Sequence, residues 1–595
     1  MKITPNTQTI GQFFFINNEQ FFIPAYQRRY AWGIKQLDAL FNDINNLEDN
    51  ETHLLGTIIL LTEHHIPTVN KLELVDGQQR LTSLCLLLKV LKEELEKNNA
   101  KEYSEIEGFL TCQTSDGKKI HKVELGDLDN PDFEKIMYSI GSEDIKNKNL
   151  LQAIEYFREK IGDLGDGLSN FYNKLKNRII IIRLDIAEAK DAFKLFESIN
   201  NRGLKLTVTD IIKNFLLGHA SIIDNETLDY VKKNWTDLII NLDGIDSDKY
   251  FRHFLMGKLK VKIPNSKLAD QFKHYYYINI KEADRLSDYK THLNLIERVN
   301  KEVNKPESDD EDDSTDNGKL ENYVDEKTDI KNFSKSLKNS SGVYAQIMNR
   351  QLPNKKINQL LFDLERIEAT PALTFLLNLF QRKISDTEIE EVLKIIQAFM
   401  LRRHICEERT SILDDIFSKL VIIDDENIVE NVKARLNEDL PSDEEFIEKF
   451  AKANFKGLEN RAKYILEQFE YYLIGNQNEY VLQSGNEVHL EHIIPLTIDT
   501  KKAIREFGNW PDYLGNKALE KHKDYVWKIG NLTILAQKLN IKASNNPYRA
   551  KLKEYQKSNI ELNKNLYNTC KSFRFKEVKN RSEEFAQMAV KIWKF

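Results

Sequence analysis

The amino-acid sequence predicts a mixed fold dominated by helices, with an α/β part first, an all-helical middle, and a short part of strands and a helix last. The 23 glycines and 12 prolines are few for 595 residues, which makes turns sparse and favours long helices. Strand-like apolar runs occur only towards the two ends of the chain, and helix-period patterns fill the middle. Hydrophobic residues make up 41% of the chain, enough to build packed cores and to exclude general disorder.

The first part, predicted as residues 1–220, alternates strands and helices. Apolar runs rich in β-branched residues predict strands at residues 56–62, 71–75 and 178–184. Apolar residues at helical spacing predict helices at residues 81–97, 191–200 and 208–217. The polar stretch at about 98–175 predicts a helical insert. Together these elements predict a compact α/β domain.

The other two parts are predicted as a helical region, residues 221–475, and a C-terminal domain, residues 476–595. Apolar periodicity in the middle predicts helices at residues 357–381 and 388–403. An acidic block without apolar residues predicts a disordered loop at residues 306–318. In the last part we expect strands at residues 480–482, 487–495 and 527–535, and a helix that starts near residue 536.

Composition narrows the class of protein. No apolar run approaches 18 residues and the mean hydropathy is −0.52, so we expect no membrane segment. Residues 1–20 show no apolar core of a secretory signal. The four cysteines form no Cys-x-x-Cys pair, which disfavours a zinc ribbon or a disulfide framework. These features predict a cytoplasmic protein.

The charge is unevenly distributed. The whole chain carries a net charge of −7, but residues 501–595 contain 21 Lys and Arg against 9 Asp and Glu. A basic segment on an acidic body is typical of a local nucleic-acid contact surface. A solvated lysine-rich helical surface explains the same charge equally well.

The sequence Val-Asp-Gly-Gln-Gln-Arg-Leu-Thr at residues 75–82 lies where a predicted strand ends and a predicted helix begins. Such a junction offers free backbone N–H groups and the positive end of a helix dipole to a phosphate. Gly77 lets a ligand approach the backbone, Arg80 can fork onto phosphate oxygens, and Asp76 can hold a metal or a water. General physics favours the alternative, an ordinary helix cap.

Two further polar clusters occur in the first part. Arg28 and Arg29 stand among aromatic residues in the run Tyr-Gln-Arg-Arg-Tyr-Ala-Trp, a pattern suited to stacking on a base or gripping a phosphate. Asn200, Asn201 and Arg202 precede a glycine and could close a polar site. The alternatives are a surface arginine pair beside core aromatics, and a helix cap with a turn.

The C-terminal part carries an ordered set of residues suited to metal-assisted hydrolysis. A nuclease of this kind needs a general base and a hard cation held by oxygen ligands. His492 can be the base, and Glu491 and the Asn540 carbonyl are suitable Mg²⁺ ligands. Asn531 can orient the loop and the base. A lone His beside a Glu is more often structural, and the ordered His, Asn, Asn set favours the catalytic interpretation.

These motifs resemble those of GmrSD-type proteins, modification-dependent (type IV) restriction enzymes. The C-terminal resemblance is to an HNH (ββα-metal) nuclease domain and rests on residues 491–495, 530–535, Asn540, residues 546–548, Lys551 and Tyr555. The N-terminal resemblance is to a ParB-like domain and rests on residues 23–32, 76–82 and 196–207. A related branch senses phosphorothioate-modified DNA.

The resemblance implies roles for named residues. Asp76 and Arg80 are implied in hydrolysis of a nucleoside triphosphate, with GTP, UTP, CTP and ATP all open, and His492 and Asn531 in cutting. Glu491 and Asn540 are implied as ligands of Mg²⁺ (or Mn²⁺). The residues expected to bind nucleotide are Arg28, Arg29, Asp76, Gly77, Gln78, Gln79, Arg80, Asn201 and Arg202.

The sequence therefore predicts an anti-phage endonuclease, either nicking or cutting both strands, regulated by nucleotide and by DNA modification. We expect double-stranded DNA, from phage or modified, and a nucleoside triphosphate as partners, with a homodimer as one candidate state. Two alternatives remain. The protein could be a nucleotide-dependent DNA clamp, or a defence-complex scaffold, in each case with an inactive nuclease domain.

Overall fold

The computed structural model describes residues 3–48, 50–62, 65–66, 69–140, 144–200, 207–286, 327–475 and 487–595. The predicted acidic loop at 306–318, the predicted strand at 480–482, and the site residues Asn201 and Arg202 lie outside them. The chain packs into two compact units, one of residues 1–252 and 263–345 and one of residues 253–262 and 346–595. The predicted division at residues 220 and 475 stays a prediction.

Among its described residues, the first unit is built on a seven-stranded mixed sheet. The strands follow the order β1, β9, β3, β5, β2, β8, with β4 pairing with β5. Strands β9 and β3 are parallel, as are β5, β2 and β8, whereas β1–β9 and β3–β5 are antiparallel. The bounds are β1 Ile3–Thr9, β2 Glu19–Phe22, β3 His53–Leu61, β4 His65–Ile66, β5 Val69–Asp76, β8 Val123–Glu124 and β9 Ile179–Ile186. Outside this sheet, β6 Thr111–Gln113 and β7 Lys119–His121 form a hairpin.

The first unit also contains the following helices in its described part, although residues 253–259 and 346–349, the ends of two of them, belong to the second unit. Their bounds are α1 Ile10–Phe14, α2 Ile34–Asn45, α3 Gln78–Lys97, α4 Glu102–Leu110, α5 Asn130–Met137, α6 Lys148–Gly162, α7 Leu168–Arg178, α8 Ala189–Asn200, α9 Val208–Ile223, α10 Asn225–Asn241, α11 Ser247–Leu259, α12 Leu268–Asn279 and α13 Ile330–Asn349. Helix α3 is the central one, because apolar residues bury it on almost every face and it packs against α4 and α6. The sequence predicted β3, β5, β9, α3, α8 and α9 to within a few residues.

The second unit is helical apart from one pair of strands in its described part. The helices are α14 Lys355–Arg366, α15 Leu373–Leu379, α16 Asp386–Ile405, α17 Leu413–Lys419, α18 Ile428–Asn437, α19 Asp443–Lys452, α20 Glu459–Ile474, α21 Lys501–Phe507, α22 Trp510–Leu514, α23 Ala518–Tyr525, α24 Gln537–Ala543, α25 Tyr548–Gln556, α26 Glu561–Thr569 and α27 Phe575–Ile592. Strand β10, Val488–His492, pairs antiparallel with β11, Leu532–Ala536, and α24 follows directly.

Two expectations about local structure are corrected. The insert at about 98–175 is not wholly helical, since β6, β7 and β8 lie within it. These strands are only two or three residues long; β6 and β7 pair with each other, and β8 pairs with β2 of the main sheet. The predicted helix at 357–381 is broken, because Glu368 has a φ of 61° and Pro371 lies in a short 3₁₀ turn, Thr370–Ala372, where proline offers no N–H to continue the helix.

The structure confirms a helix-dominated mixed α/β protein. The described strands form one larger sheet in the first unit and two small pairs. Within the described ranges, none of the helices combines the length and apolar character that crossing a bilayer requires.

Candidate functional sites

The Asp-Gly-Gln-Gln-Arg motif occupies the junction of β5 and α3. Asp76 ends the strand, Gly77 has a φ of 98°, and Gln78 begins the helix. A Cβ atom at position 77 would lie 3.1 Å from Ile58 Cγ1 and 3.3 Å from the Thr57 carbonyl oxygen. Both the left-handed backbone and this close approach therefore require glycine.

Asp76 and Arg80 form an ion pair within the motif. Arg80 Nη2 donates to Asp76 Oδ2 at 3.3 Å, and both side chains are mostly buried. Burial raises the pKa of Asp76 above its ordinary value, and the charges of Arg80 and Lys213 oppose that shift. Gly56 leaves room for the Arg80 guanidinium, which a methyl group there would overlap. The pair places a carboxyl group beside a guanidinium cation that can form two parallel hydrogen bonds to a phosphate.

The two glutamines of the motif connect it to the Arg28-Arg29 loop. Gln78 Nε2 donates to the Arg28 carbonyl at 3.2 Å, and Gln79 Nε2 donates to the Arg29 carbonyl at 3.2 Å. Gln79 Oε1 also accepts from the Ala31 N–H at 2.8 Å. The structure thus brings two separately predicted motifs together through side chain to backbone hydrogen bonds.

The two arginines of that loop differ in their surroundings. Arg29 donates to Asp129 Oδ1 at 2.7 Å, to Asp243 Oδ1 at 2.8 Å, and also to the Leu128 carbonyl. Arg28 is 42% exposed, and its Nε lies 3.8 Å from Asp210 Oδ2. Carboxylates therefore already engage Arg29, whereas Arg28 faces solvent beside the motif.

Three residues that the sequence did not single out as ligands complete this cluster. Lys213 is 3% exposed; its Nζ donates to Gln27 Oε1 and lies 3.8 Å from Asp210 Oδ1. Gln27 in turn donates to the Val75 carbonyl at 3.0 Å, one residue before Asp76. Burial lowers the pKa of Lys213, and the Asp210 carboxylate opposes that shift. The signal that could have revealed it was a lysine three residues after Asp210, between apolar residues of α9.

In the second unit, His492 ends β10 opposite Leu532 of β11. Its ring stands edge-on to the Trp527 ring, with centroids 4.4 Å apart. The Nε2 atom is buried and makes no hydrogen bond within the part of the chain that the structure describes. Burial, with the charges of Lys551 and His522, lowers the pKa of His492 to about 4. The ring is therefore neutral near pH 7, with a nitrogen available to a ligand.

Asn531 holds the loop between the two strands. The residue is fully buried; its Oδ1 accepts from the Ile494 N–H at 2.9 Å, and its Nδ2 donates to the carbonyls of Ile494 and Val526. These three bonds fix the chain immediately after His492. The role expected for Asn531 in orienting the loop and the base stays a prediction.

We expect Asn531→Asp to destabilise the second unit by about 2–4 kcal/mol, because a carboxylate cannot donate to two buried carbonyls. The change keeps the size and shape of the side chain. Thermal unfolding followed by tryptophan fluorescence measures the effect. Asn509→Asp, at an exposed helix cap, is the control, and an equal loss in both variants would contradict the anchoring role.

Glu491 lies in a buried ion pair. Its Oε1 accepts from Lys551 Nζ at 2.7 Å and from the Tyr555 hydroxyl at 3.2 Å, and Lys551 also donates to the His492 carbonyl at 2.6 Å. Burial raises the pKa of Glu491, and the Lys551 ammonium opposes that shift. Lys551 and Tyr555 belong to the residues on which the C-terminal resemblance rests, but the sequence predicted no role for either.

Asn540, the second residue expected to hold a metal, lies half-buried in α24, the helix that follows β11. The described residues contain no group of three or more His, Cys, Asp or Glu side chains placed to hold a metal ion. A metal would therefore depend on one carboxylate oxygen and one amide oxygen, both of them hard ligands that suit Mg²⁺.

Comparison with known protein families matches one domain near each end of the chain. Residues 10–217 match the N-terminal domain of GmrSD restriction endonucleases, and residues 440–588 match their C-terminal domain. The first match contains the Asp76–Arg80 cluster, and the second contains His492, Asn531 and Asn540. No curated protein matches the chain. With the two domains in order over most of its length, the chain belongs to the GmrSD restriction endonuclease family.

Proposed function

We propose that the protein restricts DNA through an HNH (ββα-metal) site in its second unit, under the control of a nucleotide site in its first. Family membership supports the role of a restriction endonuclease that acts on DNA. The observation that carries the finer proposal is His492 Nε2, a buried ring nitrogen without a hydrogen bond among the described residues. Burial of an unpartnered nitrogen is costly, so a water or substrate is its natural partner.

The proposed chemistry starts at this nitrogen. Neutral His492 accepts a proton at Nε2 from the water that attacks the phosphodiester. Asn531 fixes the following loop, and Lys551 fixes the His492 carbonyl, so the ring keeps its orientation during proton transfer. Trp527 covers one side of the ring and limits solvent access.

We propose that a divalent cation, Mg²⁺ (or Mn²⁺), binds beside this base. The Glu491 carboxylate, whose Oε1 accepts from Lys551 and Tyr555, and the Asn540 amide oxygen are its proposed ligands. When bound, the cation supplies charge stabilisation of the departing 3′ oxygen. The basic segment 501–595 would hold the DNA backbone without reading its sequence.

The first unit is the proposed nucleotide site. Arg80 and the exposed Arg28 supply charge for phosphates, and Gly77 lets a phosphate approach the start of α3. Buried Lys213 lies near both Asp76 and Asp210 and joins their charges into one cluster. Arg29, engaged by Asp129 and Asp243, holds the loop in place. Asn201 and Arg202 remain proposed ligands.

A cleavage assay tests the function. The full chain is incubated with Mg²⁺ or with EDTA on plasmid DNA that is unmodified, glucosylated on hydroxymethylcytosine, or phosphorothioated, with and without each nucleoside triphosphate. We expect cutting that requires the metal and responds to nucleotide and to modification. Tight DNA binding without cutting on any substrate would support the clamp or scaffold alternatives instead.

We expect Arg80→Ala to lower nucleotide turnover at least about tenfold, because a forked, charge-assisted contact to phosphate is lost. Arg80→Lys should keep only part of the activity, since an ammonium cannot bind in a bidentate manner. Release of inorganic phosphate is the measurement. Arg158→Ala removes an exposed arginine of the same unit and serves as control. Turnover that survives in Arg80→Ala would contradict the nucleotide role of the motif.

A further inference from the structure

The first unit contains a cavity whose lining residues are not those of the proposed nucleotide site. Its volume is about 320 Å³, which falls within the usual range for small-molecule pockets. Helices α3 and α4, the β6–β7 hairpin and the end of α5 form its walls. The lining residues are Lys89, Lys92, Glu107, Leu110, Thr111, Lys119, Ile120, His121, Met137 and Tyr138.

Positive charge exceeds negative charge in this lining. Lys92 and Lys119 share a single carboxylate, Glu107, at 2.6 Å and 2.7 Å. Lys89 is 8% exposed and pairs at 3.2 Å with Glu93, which is not a lining residue. Three lysines therefore line the cavity against one lining carboxylate. An anionic group entering it would meet more cationic donors than Glu107 can satisfy.

His121 lines the same cavity with both of its ring nitrogens buried and without a hydrogen bond among the described residues. Burial, with the charge of Lys89, lowers the pKa of His121, and the carboxylates of Glu134 and Glu107 and a contact with the Leu110 backbone oppose that shift. A neutral imidazole carries one donor and one acceptor. The Leu110 backbone can engage at most one of the two nitrogens, so at least one is left unsatisfied in a buried place, and a ligand with a matching group would remove that cost.

An aromatic surface completes the cavity. The Tyr138 ring is 58% exposed, and its centroid lies 4.4 Å from that of the His121 ring. An exposed tyrosine beside lysines is the combination on which nucleobases stack while phosphates are held. The apolar lining residues Leu110 and Met137 are buried and form a dry wall for a planar group.

We propose that this cavity binds one nucleotide unit, with the phosphate held by Lys92 and Lys119 and the base stacked on Tyr138. The unit could be a free nucleoside monophosphate or a single nucleotide of a DNA strand. The proposal does not depend on the nucleotide site at Asp76–Arg80.

Isothermal titration calorimetry on the full chain tests the proposal. The probes are dAMP, adenosine, ribose 5-phosphate and a single-stranded hexamer of deoxyadenosine. We expect dAMP to bind more tightly than adenosine or ribose 5-phosphate, since only dAMP supplies both base and phosphate. Tighter binding of the hexamer than of dAMP would assign the cavity to a DNA strand, and the reverse would assign it to a free nucleotide.

Variants connect the binding to this cavity. Lys119 and Tyr138 are more than half exposed, so Lys119→Glu and Tyr138→Ala should fold normally. We expect each to weaken binding of the preferred probe at least about tenfold. The control is Lys118→Glu, an equal charge change at the exposed neighbouring position of the same hairpin that does not line the cavity.

Three results would overturn the proposal. The first is no saturable binding of either dAMP or the hexamer by the wild-type chain. The second is an equal loss in Lys118→Glu and Lys119→Glu, which would indicate a general charge effect. The third is loss of binding in Arg80→Ala with no change in Lys119→Glu, which would place the bound nucleotide at the Asp76–Arg80 cluster.

Discussion

The rate of DNA cutting by the His492→Ala variant is expected to fall about 100- to 10,000-fold, the usual contribution of a general base. Folding should persist, because the removed ring makes no hydrogen bond through Nε2 and its loss leaves Asn531 and Lys551 bonded as before. Single-turnover cleavage of a labelled duplex gives the rate of the chemical step, and thermal unfolding verifies the fold.

The matched control is His489→Ala. His489 lies on the same strand, three residues earlier, so its side chain projects from the opposite face of β10. Its replacement should leave cutting within a few-fold of wild type. DNA binding by both variants, measured by fluorescence anisotropy at several salt concentrations, should match the wild-type protein. Cutting that survives in His492→Ala with DNA binding unchanged would contradict the HNH assignment.

The elements around both sites were predictable from sequence because their patterns are local. The leucine stripe predicted α3, and the apolar run at 178–184 located β9 to within two residues. The run at 527–535 located the end of β11, but the strand begins five residues later than predicted, after a 3₁₀ turn at Ile529–Asn531. The sequence predicted a strand-to-helix junction around Gly77. The structure shows this junction, and Gly77 has a φ of 98° there. Each of these features depends on residues that are close together in the sequence.

Long-range contacts were not predictable in the same way. Gln79 bonds to the Arg29 carbonyl across 50 residues, and Lys551 pairs with Glu491 across 60. Such contacts depend on how helices and strands pack, which no local pattern encodes. The same holds for Lys213, whose charge is understandable only beside Gln27 and Asp210.

The Glu491–Lys551 pair leads to the second large expected effect. Lys551→Met should destabilise the second unit by about 3–5 kcal/mol, since it leaves the Glu491 carboxylate buried without its cation. Both side chains are less than a tenth exposed, so solvent cannot replace the lost partner. Lys564→Met breaks an exposed pair with Glu561 and should cost no more than about 1 kcal/mol. Denaturant unfolding followed by tryptophan fluorescence compares the two variants, and equal losses would contradict a supporting role for Lys551.

A double variant separates the structural role of Glu491 from its proposed metal role. Lys551→Met with Glu491→Leu removes both charges, and replacing a buried pair by apolar residues often restores stability. We expect this protein to recover most of the stability lost in Lys551→Met but to cut DNA less than Lys551→Met alone. Both variants lack the Lys551 bond to the His492 carbonyl, so the difference in cutting reports the oxygen ligand that position 491 no longer offers. If cutting returned together with stability, Glu491 would serve only to hold Lys551 and the His492 backbone, and the cation would have to be held without it.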